Sequence, residues 1–278
     1  MTNIFDTHAH YSSRQFDADR ADLLGRALPE GGVAGVLECA THSGDAPRVL
    51  ELAHTYPYIH AALGIHPESL GEEDAPTVAV YHGDWRAELN AMRPLFEDKA
   101  VVAVGEIGLD HHWPLPAREQ YDLFEAQLQL AAELNLPVSI HDREAHGEMY
   151  ELLRRYKPRG VLHCYSGSAE DAAWLTAQGL CLGFGGAVTY KGAKRAAKGW
   201  PPFPMTVPCW KPTAPTWHRN RCVAAAMTAA TSSMWPDTLP ACGKQTPRRC
   251  WIPAPPTHAG FSAWNDPTNN IQCVYYHK

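Results

Sequence analysis

Short apolar runs alternate with amphipathic segments along the first two hundred residues of the chain. The runs have the length and composition of buried strands, and the segments between them have helical periodicity. Two segments are the clearest helices: Arg118–Asn135, with Tyr121, Phe124, Leu128 and Ala131/Ala132 on one face, and Ala169–Gly179. The predicted strands are Ile4–His10, Val33–Ala40, Tyr58–His66, Val101–Gly108, Pro137–His141, Gly160–Cys164 and Leu180–Gly186.

Strands that alternate with helices predict parallel βαβ units and an α/β fold. Seven such strands are one fewer than a TIM-type (β/α)8 barrel requires. A Rossmann sheet is the competing architecture, but no G-x-G-x-x-G follows the first strand. We therefore expect an incomplete barrel, in which an irregular tail replaces the eighth strand.

Composition narrows the class of protein further. The chain has 278 residues, a net charge of -6 and apolar runs too short to cross a bilayer. This charge is not that of a broad nucleic-acid-binding face, so any phosphate affinity must be local. The eight cysteines come without a secretion signal, so we expect reduced thiols and a cytoplasmic protein. Neither a membrane nor a stable protein partner is inferred.

Potential ligands cluster at the predicted strand ends. In a parallel barrel these ends open on one rim, where residues distant in sequence come together. Imidazoles two residues apart on an extended chain point to the same side and can share one metal ion. The residues at these ends are His8, His10, His66, Glu106, His141 and His163.

This set predicts a centre for two divalent cations, with Mg, Mn and Zn all compatible with its donors. His8 and His10 can hold one ion, and the carboxylate of Glu106 can bridge two cations. His141 and His163 can serve the second ion. Paired ions roughly 3.5–4 Å apart are the usual machinery for phosphoester hydrolysis.

Three neighbouring residues leave alternatives open. His66 either lines the site as a hydrogen-bond donor or is a turn residue held by Pro67. Asp110 either orients a ligand histidine or caps the next segment, and the cap is preferred. Arg143 either binds a substrate phosphate, which is preferred, or pairs with Glu144. The other histidines singled out are interpreted as ordinary hydrogen-bonded residues: His42, His54, His60, His82, His111, His112 and His146.

The motifs FDTHAH, GIHP, VGEIGLD, LPVSIHDREA and HCYSG, with the helix carrying Arg118, Gln120, Phe124 and Gln127, closely resemble the TatD family. These are metal-dependent deoxyribonucleases of the amidohydrolase superfamily. The resemblance runs from about Ile4 to about Lys191 and implies a hydrolase barrel over 4–191. It also implies that His8 and His10 hold one ion, that Glu106 bridges, and that His141 and His163 hold the other. DNA is the implied substrate, often cut from an end.

The tail has a different composition. Beyond Lys198 the acidic residues are Asp237 and Asp266, while six of nine tryptophans, five of eight cysteines and thirteen of 23 prolines lie there. A flexible linker is rich in Gly and Ser, and a disordered tail is poor in Trp. Residues 199–278 match neither, and we treat them as an aberrant tail.

A shifted reading frame explains this tail. The resemblance implies a last strand with an E-T-D-x-P motif whose Asp completes the first metal site, and this chain has none. A permitted coding of Cys209–Arg219, read in another frame, gives L-L-E-T-D-C-P-Y-M-A-P. Two later segments give family-like sequence in the same frame. We expect the shift to fall between Tyr190 and Trp200. The alternative is a divergent tail with a zinc site from Cys209, His218 and Cys222, whose spacing fits no finger pattern.

The sequence thus predicts a metal-dependent DNA hydrolase. One alternative is an amidohydrolase acting on a carbonyl or phosphotriester substrate. Many of those enzymes bridge their metals with a carboxylated lysine on the fourth strand, where this chain has Glu106. The other alternative is an inactive metal-binding remnant.

Overall fold

A computed structural model describes residues 4–183, which form a curled sheet of seven parallel strands. Each strand is hydrogen-bonded to the next one in chain order. This architecture confirms the predicted fold class, an incomplete TIM-type barrel. The strands are β1 Ile4–Ala9, β2 Val33–Cys39, β3 Ile59–Leu63, β4 Val101–Asp110, β5 Val138–Arg143, β6 Gly160–Leu162 and β7 Leu180–Leu182.

Helical segments connect consecutive strands, as parallel pairing requires. Short 3-10 turns at Arg14–Phe16, Pro67–Leu70 and Arg93–Glu97 and a π-helical turn at Leu23–Ala27 complete the connections. The α-helices of residues 4–183 are α1 Arg20–Asp22, α2 Leu28–Glu30, α3 Ala46–Thr55, α4 Pro76–Ala79, α5 Trp85–Met92, α6 Ala117–Leu134, α7 His146–Tyr156 and α8 Ala169–Ala177.

The two faces of the sheet are both apolar. On β2, Val36 packs with residues of the surrounding helices, whereas its neighbour Leu37 joins a cluster made only of strand residues. That second cluster contains the small side chains Ala62 and Ala103. Because successive side chains of a strand alternate between faces, the strand-only cluster fills the barrel interior and the other cluster lies under the helices.

Glu106 lies inside β4 rather than at its end, so the predicted end of this strand at Gly108 is wrong. The pairing of β4 with β5 runs from Gly105 opposite Ser139 to Ile107 opposite Ile140, with Glu106 as one extra residue. Such a bulge bends the strand locally and turns a side chain in a new direction. Here it allows the strand to continue beyond its functional carboxylate.

Strand β3 is shorter than predicted, because its last polar backbone groups bond to a side chain instead of a strand. Gln127 of α6 accepts a hydrogen bond from Ile65 N (2.7 Å) and donates one to Ile65 O (3.0 Å). Gln120, two helical turns earlier on the same face of α6, makes the same pair of bonds with the backbone of Asp110 (2.8 and 2.9 Å). The two buried glutamines therefore fasten the ends of β3 and β4 to α6.

The buried face predicted for α6 is partly wrong, since Ala132 is exposed.

Gln127→Leu is expected to lower the free energy of unfolding by about 2 kcal/mol or more, because it leaves a buried N–H and a buried C=O of Ile65 unsatisfied. Gln129→Leu is the matched control on the same helix. Gln129 is exposed and bonds to the Tyr156 hydroxyl, so its loss should change stability by only about 0.5 kcal/mol. Denaturant titration of the two variants measures the difference, and equal midpoints would contradict the anchoring role.

The predicted end of β7 at Gly186, the missing eighth strand, the boundary near 191 and the tail over 199–278 lie outside the described residues. So do Cys209, His218 and Cys222. Among residues 4–183, no helix is both long enough and apolar enough to span a bilayer.

Candidate metal centre

Four of the predicted metal-binding histidines lie against the carboxylate of Glu106. His8 Nε2 and His10 Nε2 are 3.3 and 3.0 Å from Oε2. His141 Nδ1 and His163 Nε2 are 3.2 and 3.0 Å from Oε1. Each carboxylate oxygen therefore faces its own pair of imidazoles.

Four strands bring these side chains together. His8 is in β1 and His10 follows it directly, and the two Nε2 atoms are 3.0 Å apart, so both rings point to one side as predicted. His141 is within β5, and His163 follows β6. The strand ends were predicted only approximately, but the convergence of the five side chains at one rim of the barrel is found.

The outer nitrogens of two histidines have partners that fix the tautomer. His10 Nδ1 lies 2.9 Å from Cys39 O, an acceptor, so the proton is on Nδ1. His141 Nε2 lies 2.9 Å from the carboxylate of Asp110 and carries a proton for the same reason. The other ring nitrogens, His10 Nε2 and His141 Nδ1, face Glu106. Such outer partners orient histidine ligands in metal sites.

The donor set fits two cations. Bonds of roughly 2.0–2.1 Å from one ion to two imidazole nitrogens place those nitrogens about 3 Å apart. The two Nε2 atoms of His8 and His10 are 3.0 Å apart, and so are His141 Nδ1 and His163 Nε2. By ligand-atom proximity alone, Glu106 also groups with His8 and His163, and with His66 and His141. Every grouping contains Glu106.

The buried ionisable groups of the cluster have shifted pKa values. Burial opposes ionisation of Glu106, but the neighbouring His8 and His163 hold its pKa well below the usual range. Burial, then the charge of His163, lowers the pKa of His8. At His141 burial acts to lower the pKa, but the hydrogen bonds to Asp110 and Glu106 raise it to about 9. A proton and a cation compete for the same His141 nitrogen, so cation affinity should fall in acid.

His66 combines both roles weighed for it. Its Nδ1 accepts a hydrogen bond from Glu68 N (3.2 Å) and caps the turn Pro67–Leu70. The proton is therefore on Nε2, which faces Glu106 Oε1 at 3.6 Å. Burial lowers the pKa of this imidazole to about 3. His66 thus directs a neutral N–H donor, rather than a lone pair, into the site.

Asp110 also fills both roles, although the cap was the preferred interpretation. Its Oδ2 binds His141 Nε2, and its Oδ1 accepts a hydrogen bond from His112 N (2.9 Å). Arg143 is exposed at the end of β5, and among the ion pairs of residues 4–183 none includes it. Glu144, its possible partner, lies instead 3.1 Å from His112.

Two polar residues near the site were missed from sequence. Ser139 Oγ is 3.0 Å from His8 Nδ1, and its position two residues before His141 on one strand was a usable signal. Glu38 is buried and accepts hydrogen bonds from Tyr11 N and Ser12 N, directly after His10. Burial raises its pKa to about 7. A lone acid in the apolar run Val33–Ala40 was the signal here.

The histidines interpreted as ordinary residues include three bonded to carboxylates outside the cluster. His54 contacts Asp98, His112 contacts Glu144, and His146 contacts Asp142.

A cleft of about 760 Å³ opens beside His10. It is formed by the loops that follow β1 and β2. Its lining includes His10, Arg14, Asp17, Thr41, Arg48 and Asp74. The charged residues of the lining balance one another, and Arg48 pairs with Asp17, so the cleft is polar without a formal excess of either charge: they are Arg14, Arg20, Arg48, Asp17, Asp45 and Asp74.

A barrel of parallel strands with a buried carboxylate between imidazole pairs at its rim defines a metal-dependent hydrolase. Residues 5–203 match the family model described as TatD related DNase, and the chain belongs to this family. The resemblance drawn from the sequence motifs is therefore confirmed, and the chain is a TatD-type hydrolase.

Individual relatives agree. The chain is 35% identical over 199 residues to the uncharacterized metal-dependent hydrolase YabD of Bacillus subtilis, covering 69% of this chain and 72% of that protein. It is 36% identical over 189 residues to the 3'-5' ssDNA/RNA exonuclease TatD of Pantoea ananatis, covering 66% and 68%. The crystal structure of YjjV, a TatD homolog from Escherichia coli, superposes with a TM-score of 0.58 at 34% identity, covering 67% and 70%.

Proposed function

We propose that the enzyme to which this chain corresponds hydrolyses phosphodiester bonds of DNA from an end of a single strand, using two divalent cations held at Glu106, and that the chain as written retains little of this activity. One observation carries the proposal: the two oxygens of a single buried carboxylate each face a separate pair of imidazoles. A carboxylate so placed can bridge two ions. Mg, Mn and Zn are the candidate cations.

Each ion would have its own ligands. His8, His10 and Glu106 Oε2 would hold one, while His141, His163 and Glu106 Oε1 would hold the other. When bound, such a pair of ions activates water at neutral pH and stabilises the charge that develops on the phosphate.

Two further side chains would act on the substrate directly. The neutral Nε2–H of His66 would donate to a phosphate oxygen, since that N–H faces the cluster. Arg143 would bind a phosphate of the strand, because its guanidinium is exposed at the rim and outside the ion pairs of residues 4–183.

A nucleic-acid substrate is supported by a relative and by exposed guanidinium groups near the centre. The protein from Pantoea ananatis is named for ssDNA and RNA, and Arg14 and Arg48 line the cleft beside His10. A net charge of -6 is compatible with binding confined to such a cleft. A cytoplasmic location is part of the proposal, supported by the free buried thiol of Cys39.

Of the rival functions, amidohydrolase action on a carbonyl or phosphotriester is the less favoured, because Glu106 stands where a carboxylated lysine would bridge. A nuclease assay distinguishes the proposed hydrolase from the other rival, an inactive metal-binding remnant.

End-labelled single-stranded DNA is incubated with Mg²⁺, Mn²⁺ or Zn²⁺, or with EDTA, using both the chain as written and a frame-restored chain. Cation-dependent release of nucleotides supports the proposal, and its absence from both chains with every cation refutes it.

Asp110→Asn is expected to weaken cation binding by roughly 10–100-fold, because an amide stabilises the donating Nε2–H of His141 less than a carboxylate does. Calorimetric titration with the preferred cation measures the effect. Asp142→Asn is the control on the next strand, since Asp142 is buried but bonds to His146 away from the cluster. A similar loss in both variants would contradict the orienting role of Asp110.

A further inference from the structure

An exposed tryptophan lies on the rim of the metal centre. Of the large hydrophobic residues described in 4–183, three are exposed: Val80, Leu134 and Trp113. Trp113 is 47% exposed and lies in the loop between β4 and α6, on the rim that carries the cluster. Leu134 is at the opposite end of α6.

The ring is held in one orientation next to the site. Its Nε1 donates to Glu68 Oε1 at 2.8 Å, and the backbone N–H of Glu68 donates to His66, the donor that faces Glu106. Glu68 therefore links Trp113 to His66 at the edge of the cluster. The indole N–H is taken by Glu68, and the His112 ring contacts the indole with the centroids 5.0 Å apart. A ligand can therefore stack only on the part of the indole face that remains exposed.

The loop that carries the ring is fastened on both sides. His112 N donates to Asp110, its ring contacts Glu144, and His111 N donates to Arg143 O. A tryptophan fixed in this way loses little side-chain entropy when a ligand binds, which favours binding.

A positive charge accompanies the aromatic surface. The Cζ atom of Arg143 lies over the Trp113 ring, 5.8 Å from its centroid. An exposed aromatic face beside a guanidinium group matches the two parts of a nucleotide, because the base can stack on the ring while the guanidinium binds the adjacent phosphate.

We propose that Trp113 is a base-stacking subsite for single-stranded nucleic acid, and that it holds a nucleobase while Arg143 binds the neighbouring phosphate. This inference rests on the proposed function and specifies how that site holds its polymer. Stacking on an indole face reads no base edge, so the subsite should accept any base.

Binding to the full chain separates base from phosphate contacts. Fluorescence anisotropy in EDTA compares a labelled single-stranded oligonucleotide with an abasic oligonucleotide of the same length, so no hydrolysis interferes. Trp113→Ala should weaken binding of the base-bearing strand by roughly 5- to 150-fold and leave the abasic strand unchanged. Trp113→Phe, which keeps a ring, should retain most of the affinity. Arg143→Ala should weaken both strands alike, and Leu134→Ala should affect neither.

The inference is overturned if Trp113→Ala binds the base-bearing strand as well as the unchanged chain does. It is equally overturned if the unchanged chain does not distinguish the two oligonucleotides. Neither result touches the proposed hydrolysis, which is tested by cation-dependent release of nucleotides. Conversely, a base-dependent loss in Trp113→Ala would establish the subsite even if neither the as-written nor the frame-restored chain released nucleotides, a result that would refute the hydrolysis alone.

Discussion

Glu106→Gln is expected to abolish the binding of two cations, so the metal content should fall from about two ions per chain to one or none. Glu106 supplies the only carboxylate that faces both imidazole pairs of the described residues. A neutral amide presents one oxygen and one NH₂ group, so it can neither neutralise two cations nor bridge them. Elemental analysis of the purified chain after dialysis against each cation measures the stoichiometry.

The matched control is Glu144→Gln, which makes the same chemical change on the same rim. Glu144 is exposed and contacts His112 rather than the cluster, so its replacement should leave the metal content unchanged. An unaltered stoichiometry in Glu106→Gln would eliminate the bridging assignment. A loss in both variants would show a general dependence on acidic charge.

Restoring the reading frame between Tyr190 and Trp200 should convert a chain with little nuclease activity into one that degrades DNA when a divalent cation is present. On the permitted coding of Cys209–Arg219, the restored sequence contains the E-T-D-x-P aspartate, which the family resemblance assigns to the first metal and to the proton of the attacking water. A positioned proton acceptor is typically worth roughly 10²–10⁴-fold in rate. Nucleotide release from labelled DNA, compared between the two chains, measures the gain.

Changing the restored aspartate to asparagine should remove that gain while leaving the chain folded, because the change removes a ligand and proton acceptor but keeps the shape. Circular dichroism verifies the fold. Equal activity of the as-written and restored chains would refute the frameshift explanation, since the tail would then supply the missing group itself.

Much of this centre could be predicted because its geometry follows from strand periodicity. Side chains two residues apart on a strand point to the same side, and the ends of parallel strands lie at one rim of a barrel. These two rules predict that His8, His10, His141 and His163 lie close together. The position of Glu106 within its strand could not be predicted in this way. It depends on a one-residue bulge between β4 and β5, and the apolar run continues unbroken across that point.

The tautomers were also beyond the sequence. Which nitrogen of His66 or His141 faces the cluster is decided by Glu68 N and by Asp110. Asp110 lies 31 residues from its histidine partner, so only the folded chain shows the bond. Local sequence offers the cap and the ligand-orienting role as rivals, whereas a carboxylate has two oxygens and here performs both.

The chain-order pairing of the sheet has a consequence for biogenesis. Every strand from β1 to β7 pairs with its sequence neighbour, and Glu106 and the five histidines around it have all been translated by the time the ribosome passes His163. A ribosome that changes frame after Tyr190 has therefore already made the complete imidazole set. A genetic screen that reports on cation binding would respond to the ligands that such a product retains, whereas a screen for strand degradation would reveal the loss of the aspartate that the family resemblance assigns to the first metal.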